Sequence, residues 1–179
     1  MNHKVNIFEL FRYPSVLRLL GYFAEHPTGA FYLGELPKKT GLSKVSALHA
    51  LDRLKKAGFL RPEQVGRMIL YRLNRSDPRV KEFKRLLNIF KATRLCHPLQ
   101  GMKGEVYLYG SAARGENDEK SDWDILILSD RLEEVKSRLA KIRDEKIKPL
   151  LFSSLEYAAL YRKDKPLYER LEKDKVRLV

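Results

Sequence analysis

The chain has 179 residues, 44% of them apolar and 33% charged, which suits one medium folded domain or two small ones, and it shows no internal repeat or low-complexity segment. No apolar run approaches the roughly 18 to 20 residues that span a bilayer, and the first residues lack a charged segment leading into a continuous apolar one, so a soluble cytoplasmic protein without a membrane partner is expected. The net charge of +13 is unevenly spread: residues 1–97 carry 19 Lys and Arg against 7 Asp and Glu, net +12, whereas residues 98–179 carry 17 against 16, net +1. Such a division implies two units with different partners, and a small basic unit is a common electrostatic footprint for nucleic acid.

In chain order, the first predicted helix lies in SVLRLLGYFAE, where Val16, Leu17, Leu19, Leu20 and Phe23 recur at helical spacing and His26-Pro27 ends the run. After AFYL, a short helix containing Leu36 runs into Gly41, a turn position suited to positive φ, and Ser43 is a good N-cap for a helix reaching about Ala57. On that helix Ala47, Leu48, Leu51 and Leu54 form the expected inward stripe, leaving Lys44, Ser46, His49 and Arg53 on another, polar and basic face. Gly58 closes the helix, and FLRPEQVGRMILYRL reads as two strands around Val65-Gly66-Arg67.

This order, carried by TGLSKVSALHALDRLKKAGFL, resembles the winged helix-turn-helix domains of prokaryotic regulators of the MarR and ArsR kind over roughly residues 12–75. The resemblance implies that the second helix of the pair enters the major groove of double-stranded DNA, with Lys44, Ser46, His49 and Arg53 facing it and Arg67 on the wing. Domains of this shape also dock proteins, and Lys55-Lys56 is equally a solvated helix end favoured by the dipole.

Beyond NRSDP, the segment RVKEFKRLLNIFKATRL reads as a long amphipathic linker helix with Phe83, Leu86, Leu87 and Phe90 as its stripe, able to pack between the halves or pair with a copy of itself. The lone Cys96 makes no internal disulfide and reads as buried packing. The expected organisation is therefore a two-domain α/β (α+β) protein: residues 1–77 a winged helix-turn-helix domain, 78–103 a linker helix and loop, and 104–179 a mixed sheet with helices.

In the second half, EVYLYGSAARGENDEKSDWDILILS reads as strand, sharp turn at Gly110-Ser111, short helix, loop and strand. Backbone N–H groups at such a turn suit phosphate; the Ser111 hydroxyl and the Arg114 charge lie within one turn. Asp122 and Asp124 alternate at the start of the next strand, so both carboxylates share a face, with Trp123 on the other. Two like charges so close are costly unless a cation or shared proton relieves them, which makes them natural ligands for Mg2+; a capped acidic strand edge is the plainer alternative.

A strand, Gly-Ser, ten intervening residues, Asp-x-Asp and an apolar run resemble the polymerase-beta-type nucleotidyltransferases, in particular the minimal and kanamycin nucleotidyltransferase branches, over residues 105 to about 152 and more loosely to 179. The resemblance implies that Gly110 and Ser111, with Arg114 nearby, hold a nucleoside triphosphate, ATP first, while Asp122 and Asp124 serve as catalytic Mg2+ ligands. A nucleotidyl group, often AMP, would pass to a hydroxyl and pyrophosphate would leave. It also implies a third carboxylate on the next core strand, yet KIKPLLFSS contains no acid, and Lys148 or Pro149 falls at that position. A transcription regulator with a degenerate, nucleotide-sensing or dimerising transferase domain is therefore the alternative, and a homodimer or a small helical protein partner remains open. The tail EYAALYRKDKPLYERLEKDKVRLV reads as helices with Tyr157, Leu160 and Tyr161 packing inward.

Overall fold

The computed structural model describes residues 6–179, except the side chains of Ile7 and Glu9; the first five residues of the predicted N-terminal domain lie outside the described residues. Its contacts divide the chain into two units between Lys81 and Glu82. Among the described residues no helix is long and apolar enough to cross a membrane.

The first unit contains α1 (Ile7–Phe11), α2 (Pro14–Glu25), β1 (Ala30–Tyr32), α3 (Leu36–Thr40), α4 (Lys44–Lys56), β2 (Leu60–Val65) and β3 (Met68–Leu73). Pro14 opens α2, where its missing N–H costs nothing, and Val16, Leu19, Leu20, Phe23 and Ala24 form the buried face. Gly41 ends α3 at φ 69°, its N–H donating to the Pro37 carbonyl, and the Ser43 hydroxyl accepts from the Ser46 N–H at 3.1 Å to start α4. The three strands pair antiparallel in the order β1-β3-β2, which leaves Pro62 on an edge strand where no ladder bond is lost. Val65 pairs with Met68 across a two-residue loop, and Gly66 takes the left-handed φ of 58° needed at its first position.

One expected core position of α4 is corrected. Ala47, Ala50, Leu51 and Leu54 are buried, whereas Leu48 is 47% exposed beside Val45. A helix turns about 100° per residue, so a face centred on Ala47, Ala50 and Leu54 carries Leu48 out to its rim.

The 18-residue helix α5 (Pro78–Leu95) begins in the first unit and continues in the second. Its expected apolar stripe is also corrected: Leu86 and Phe90 are exposed and Phe83 and Leu87 half-buried, while Lys84, Asn88 and Ala92, spaced by four, are buried. The polar members of that face have acceptors. The Lys84 ammonium donates to the Asn117 carbonyl, and the Asn88 amide donates to the Ala112 carbonyl and to Asn117 Oδ1, both at 2.8 Å. Asn88→Ala is expected to lower stability by about 1–3 kcal/mol, since it strands buried acceptors. Urea unfolding with a reduced midpoint and an unchanged slope would register it.

The second unit continues through a short 3-10 turn at His97–Leu99 to β4 (Glu105–Leu108), α6 (Gly110–Ala113), β5 (Trp123–Leu128), α7 (Leu132–Leu139), β6 (Ile147–Phe152), α8 (Ser154–Lys163), α9 (Lys165–Asp174) and β7 (Val176–Arg177). The sheet order is β6-β5-β4-β7; β4 is antiparallel to β5 and β7, and β5 is parallel to β6. One face of this mixed sheet, with Val106, Leu108, Ile125 and Ile127, packs in a cluster with Ala92, Cys96, Leu99 and Val135. The other face, with Tyr109 and Leu126, packs against Leu160 and Leu171 of α8 and α9. Burial pushes the Cys96 thiol up to about 11, which leaves it inert packing.

Two readings of the tail change. Residues 176–177 form a strand rather than helix, held by pairing with Leu108 and Tyr107. Tyr161 is 53% exposed and meets Tyr168 edge-on at 5.5 Å, so only Tyr157 and Leu160 turn inward.

Candidate functional site

The site lies where β4 hands over to α6, beside the start of β5. Tyr109 extends the ladder by donating its N–H to the Asp124 carbonyl at 3.0 Å, and the chain then turns at Gly110 with φ 72°. A side chain is excluded there twice over. An L-residue is strained at that φ, and a Cβ would run into the Asp124 carboxylate, with its Cγ only 3.2 Å away. Backbone N–H groups in the first turn of a helix have no intrahelical partner, so the Gly110-Ser111 backbone offers donors beside that carboxylate.

Asp122 and Asp124 lie on the sheet face shared with Leu126, and Trp123 packs into the opposite cluster with Ile125 and Ile127. Asp122 is exposed and Asp124 half-buried. Burial, and then the neighbouring Asp122 charge, push the Asp124 carboxyl above the ordinary carboxylate range, against the weaker pull of the Arg170 and Arg114 guanidiniums. The same surroundings raise the Tyr109 hydroxyl, through burial first and the Asp124 charge second.

The loop between the glycine turn and the acid pair is tied down on several sides. Asn117 receives the Lys84 and Asn88 bonds, Asp118 and Ser121 bond reciprocally at 2.8 and 3.0 Å, and Lys146 Nζ donates to the Glu119 carbonyl at 2.6 Å. Asp122 therefore enters the strand from a held loop.

This donor set fits one hard divalent cation. Mg2+ is commonly held by one or two carboxylates with substrate phosphates and water completing its shell. Among the described residues no group of three or more His, Cys, Asp or Glu comes together, and the β5–β6 register sets Lys148 directly opposite Asp124, on the same face. The sequence position suspected of lacking the third acid is therefore filled by a cation, with Pro149 opposite Ile125 instead.

Ser111 sits half-buried on α6 beside Gly110. Arg114, however, is engaged by two carboxylates, Glu116 and Asp174, each at 2.9 Å. Sequence reading could not anticipate Asp174, sixty residues away, or the nearness of Arg170, because both depend on α9 packing against α6.

In the first unit, Lys44 and His49 are exposed on α4 and Arg67 is exposed at the hairpin tip. Ser46 is half-buried and accepts a bond from the Ser43 hydroxyl at 2.9 Å. The Arg53 guanidinium lies over the Tyr13 ring at 3.9 Å, and Lys55 and Lys56 pair with Asp52 at 3.6 and 2.7 Å. Lys44, His49, Arg53 and Arg67 are thus exposed, Arg53 against the Tyr13 ring, and only Ser46 is half-buried.

A strand, a glycine turn that admits no side chain, and two carboxylates at the head of the adjacent strand make up the candidate site. The family model for the nucleotidyltransferase domain matches residues 86–177, just over half the chain, and the chain belongs to this family. Members generally use a nucleoside triphosphate and a divalent metal, and the domain supports a nucleotidyl-transfer function. No curated protein matches the chain. Solved structures similar to it include two that span about half of it. One, of a possible transcriptional regulator for arsenical resistance, is 26% identical, with 48% of this chain and 80% of that chain covered and a TM-score of 0.34. The other, M. tuberculosis Rv0081, is 20% identical, with 51% of this chain and 88% of that chain covered and a TM-score of 0.38.

Proposed function

We propose that the second unit binds ATP with Mg2+ and transfers AMP to a hydroxyl acceptor, while the first unit, read as a winged helix-turn-helix, binds double-stranded DNA. The observation that carries the transferase reading is the close approach of Gly110 to Asp124, which sets a turn with backbone donors against a paired carboxylate site. Asp122 and Asp124 would hold Mg2+, which when bound neutralises charge on the phosphates. The Gly110 and Ser111 N–H groups and the Ser111 hydroxyl orient the phosphate chain. The acceptor oxygen forms a bond to the α-phosphorus as the bond to pyrophosphate breaks, and the hydroxyl proton leaves to solvent or to the departing phosphate. No carboxylate from β6 stands ready to take that proton, because Lys148 faces Asp124.

That lysine favours a second reading, a regulator whose transferase domain senses a nucleotide without turning it over. Losing a general base commonly costs on the order of 100- to 10,000-fold in rate. Calorimetric titration with ATP and Mg2+, run beside a pyrophosphate-release assay, separates the two. Binding with release supports transfer, binding without release supports sensing, and silence in both removes the nucleotide role.

DNA binding draws on the net +12 of residues 1–97 and on the outward Lys44, His49 and Arg67. Arg67→Ala is expected to weaken binding to the protein's own promoter fragment and to reduce the log–log salt slope by about 1, as loss of one phosphate contact does. Anisotropy titrations from low to moderate salt give that slope; an affinity insensitive to salt would end the reading. The exposed Leu86 and Phe90 of α5 support the homodimer expected of that helix.

A further inference from the structure

We propose that Arg170, rather than Arg114, is the cation that meets the triphosphate at the Gly110-Ser111 turn. The proposal deepens the nucleotide-site reading and rests on it. Three observations place Arg170 there.

The first is the packing of α9 on α6, fastened where Arg114, just past α6, pairs with Asp174 at the end of α9. Arg170 stands one turn before Asp174, and residues four apart share a helix face. The face of α9 that meets α6 therefore carries Asp174 at one level and Arg170 at the next.

The second is the apolar packing beside it. Leu171, the residue after Arg170, is buried in one cluster with Tyr109, the residue before Gly110, which holds this level of α9 beside the turn.

The third is availability. Arg114 already satisfies two carboxylates, and turning it toward a phosphate would break both ion pairs and strand Asp174. Among the described residues Arg170 has no carboxylate partner and is exposed. A planar guanidinium with several donors suits bidentate contact with phosphate oxygens, and an arriving polyanion costs Arg170 no existing pair. Arg114 then becomes the clasp that holds α9, and so Arg170, over the turn.

Calorimetry of the full chain with ATP and excess Mg2+ tests the assignment. Arg170→Gln is expected to weaken ATP binding about 10- to 100-fold, the range for losing a charge-assisted contact, and Arg170→Lys to recover part of it. Thermal melts of both variants without nucleotide should stay close to wild type, because Arg170 is exposed and loses no ion pair, only a weak pull on Asp124 that Arg170→Lys keeps. Inorganic pyrophosphate, competing for the same site, should lose affinity in parallel with ATP in Arg170→Gln. If wild type binds ATP and Arg170→Gln binds it equally well, the assignment is overturned and the nucleotide site survives. The same follows if Arg170→Lys is as weak as Arg170→Gln while both melt early, since the residue would then be structural. If wild type binds no ATP, the nucleotide-site reading falls and takes this proposal with it.

Discussion

Asp124→Asn should abolish Mg2+-dependent ATP binding and, in the same protein, raise the melting temperature of the metal-free chain. The carboxyl is half-buried, with Asp122 as its like-charged neighbour, and both influences hold it above the ordinary carboxylate range. In the metal-free protein its ionisation therefore works against the fold. The native state holds this proton to higher pH than the unfolded chain does, so the metal-free wild type loses stability as pH rises from the ordinary carboxylate value through the raised one. Below that window the penalty is absent. The D124N variant lacks the charge and should show a flatter profile there, with a gain of roughly 0.5–2 kcal/mol at neutral pH, typical of relieving a strained functional site. Loss of a direct metal ligand should weaken apparent affinity by about 100-fold or more, above the usual effect of removing a supporting partner. Melting curves between pH 3 and 8, with and without Mg2+ and ATP, record both changes. A variant that melts lower than wild type without metal, or that still binds Mg2+ and ATP normally, would remove Asp124 from the site.

The second large effect concerns Gly110, and Gly66 supplies its control. Both take left-handed φ, 72° and 58°, so an alanine at either position carries a similar backbone cost of about 1–2 kcal/mol. Their surroundings differ. A Cβ on Gly66 has nothing within 4 Å, whereas on Gly110 it presses on the Asp124 carboxylate and its Cγ and Cβ. Gly110→Ala must therefore displace Asp124 or the turn itself, and ATP affinity should fall at least about tenfold, since misplacing a binding group by an ångström is enough for such losses. Gly66→Ala should lower stability and leave ATP affinity unchanged. Parallel urea unfolding and nucleotide titration compare them. Equal ATP affinity in the two variants would mean that the Gly110 turn plays no part in holding the nucleotide.

The residues that carry these effects were legible in the sequence to different degrees. Ser43 as an N-cap, Gly41 as a turn, Gly66 within the Val65-Gly66-Arg67 turn, which the strand pairing shortens to Gly66-Arg67, and the alternation of Asp122 and Asp124 all follow from backbone geometry acting over two to four residues. So does the turn at Gly110, although its reason was only half visible: positive φ is a local matter, but the contact with Asp124 joins two strands. The Gly-Ser…Asp-x-Asp spacing pointed to the nucleotidyltransferase family, which matches residues 86–177.

What the sequence by itself determined is thus the set of local turns, caps and alternations. Tertiary structure decided the rest. Apolar periodicity in α5 pointed to Phe83, Leu86, Leu87 and Phe90, but Lys84 and Asn88 are buried because acceptors on a loop some thirty residues away satisfy them. The packing of α9 brought Asp174 to Arg114, and the parallel pairing of β5 with β6 set Lys148 against Asp124. Each of these depends on which distant group satisfies a charge or a polar hydrogen. Local propensity carries no information about such partners, because their free energy arises only when packing removes water and brings the chain segments together.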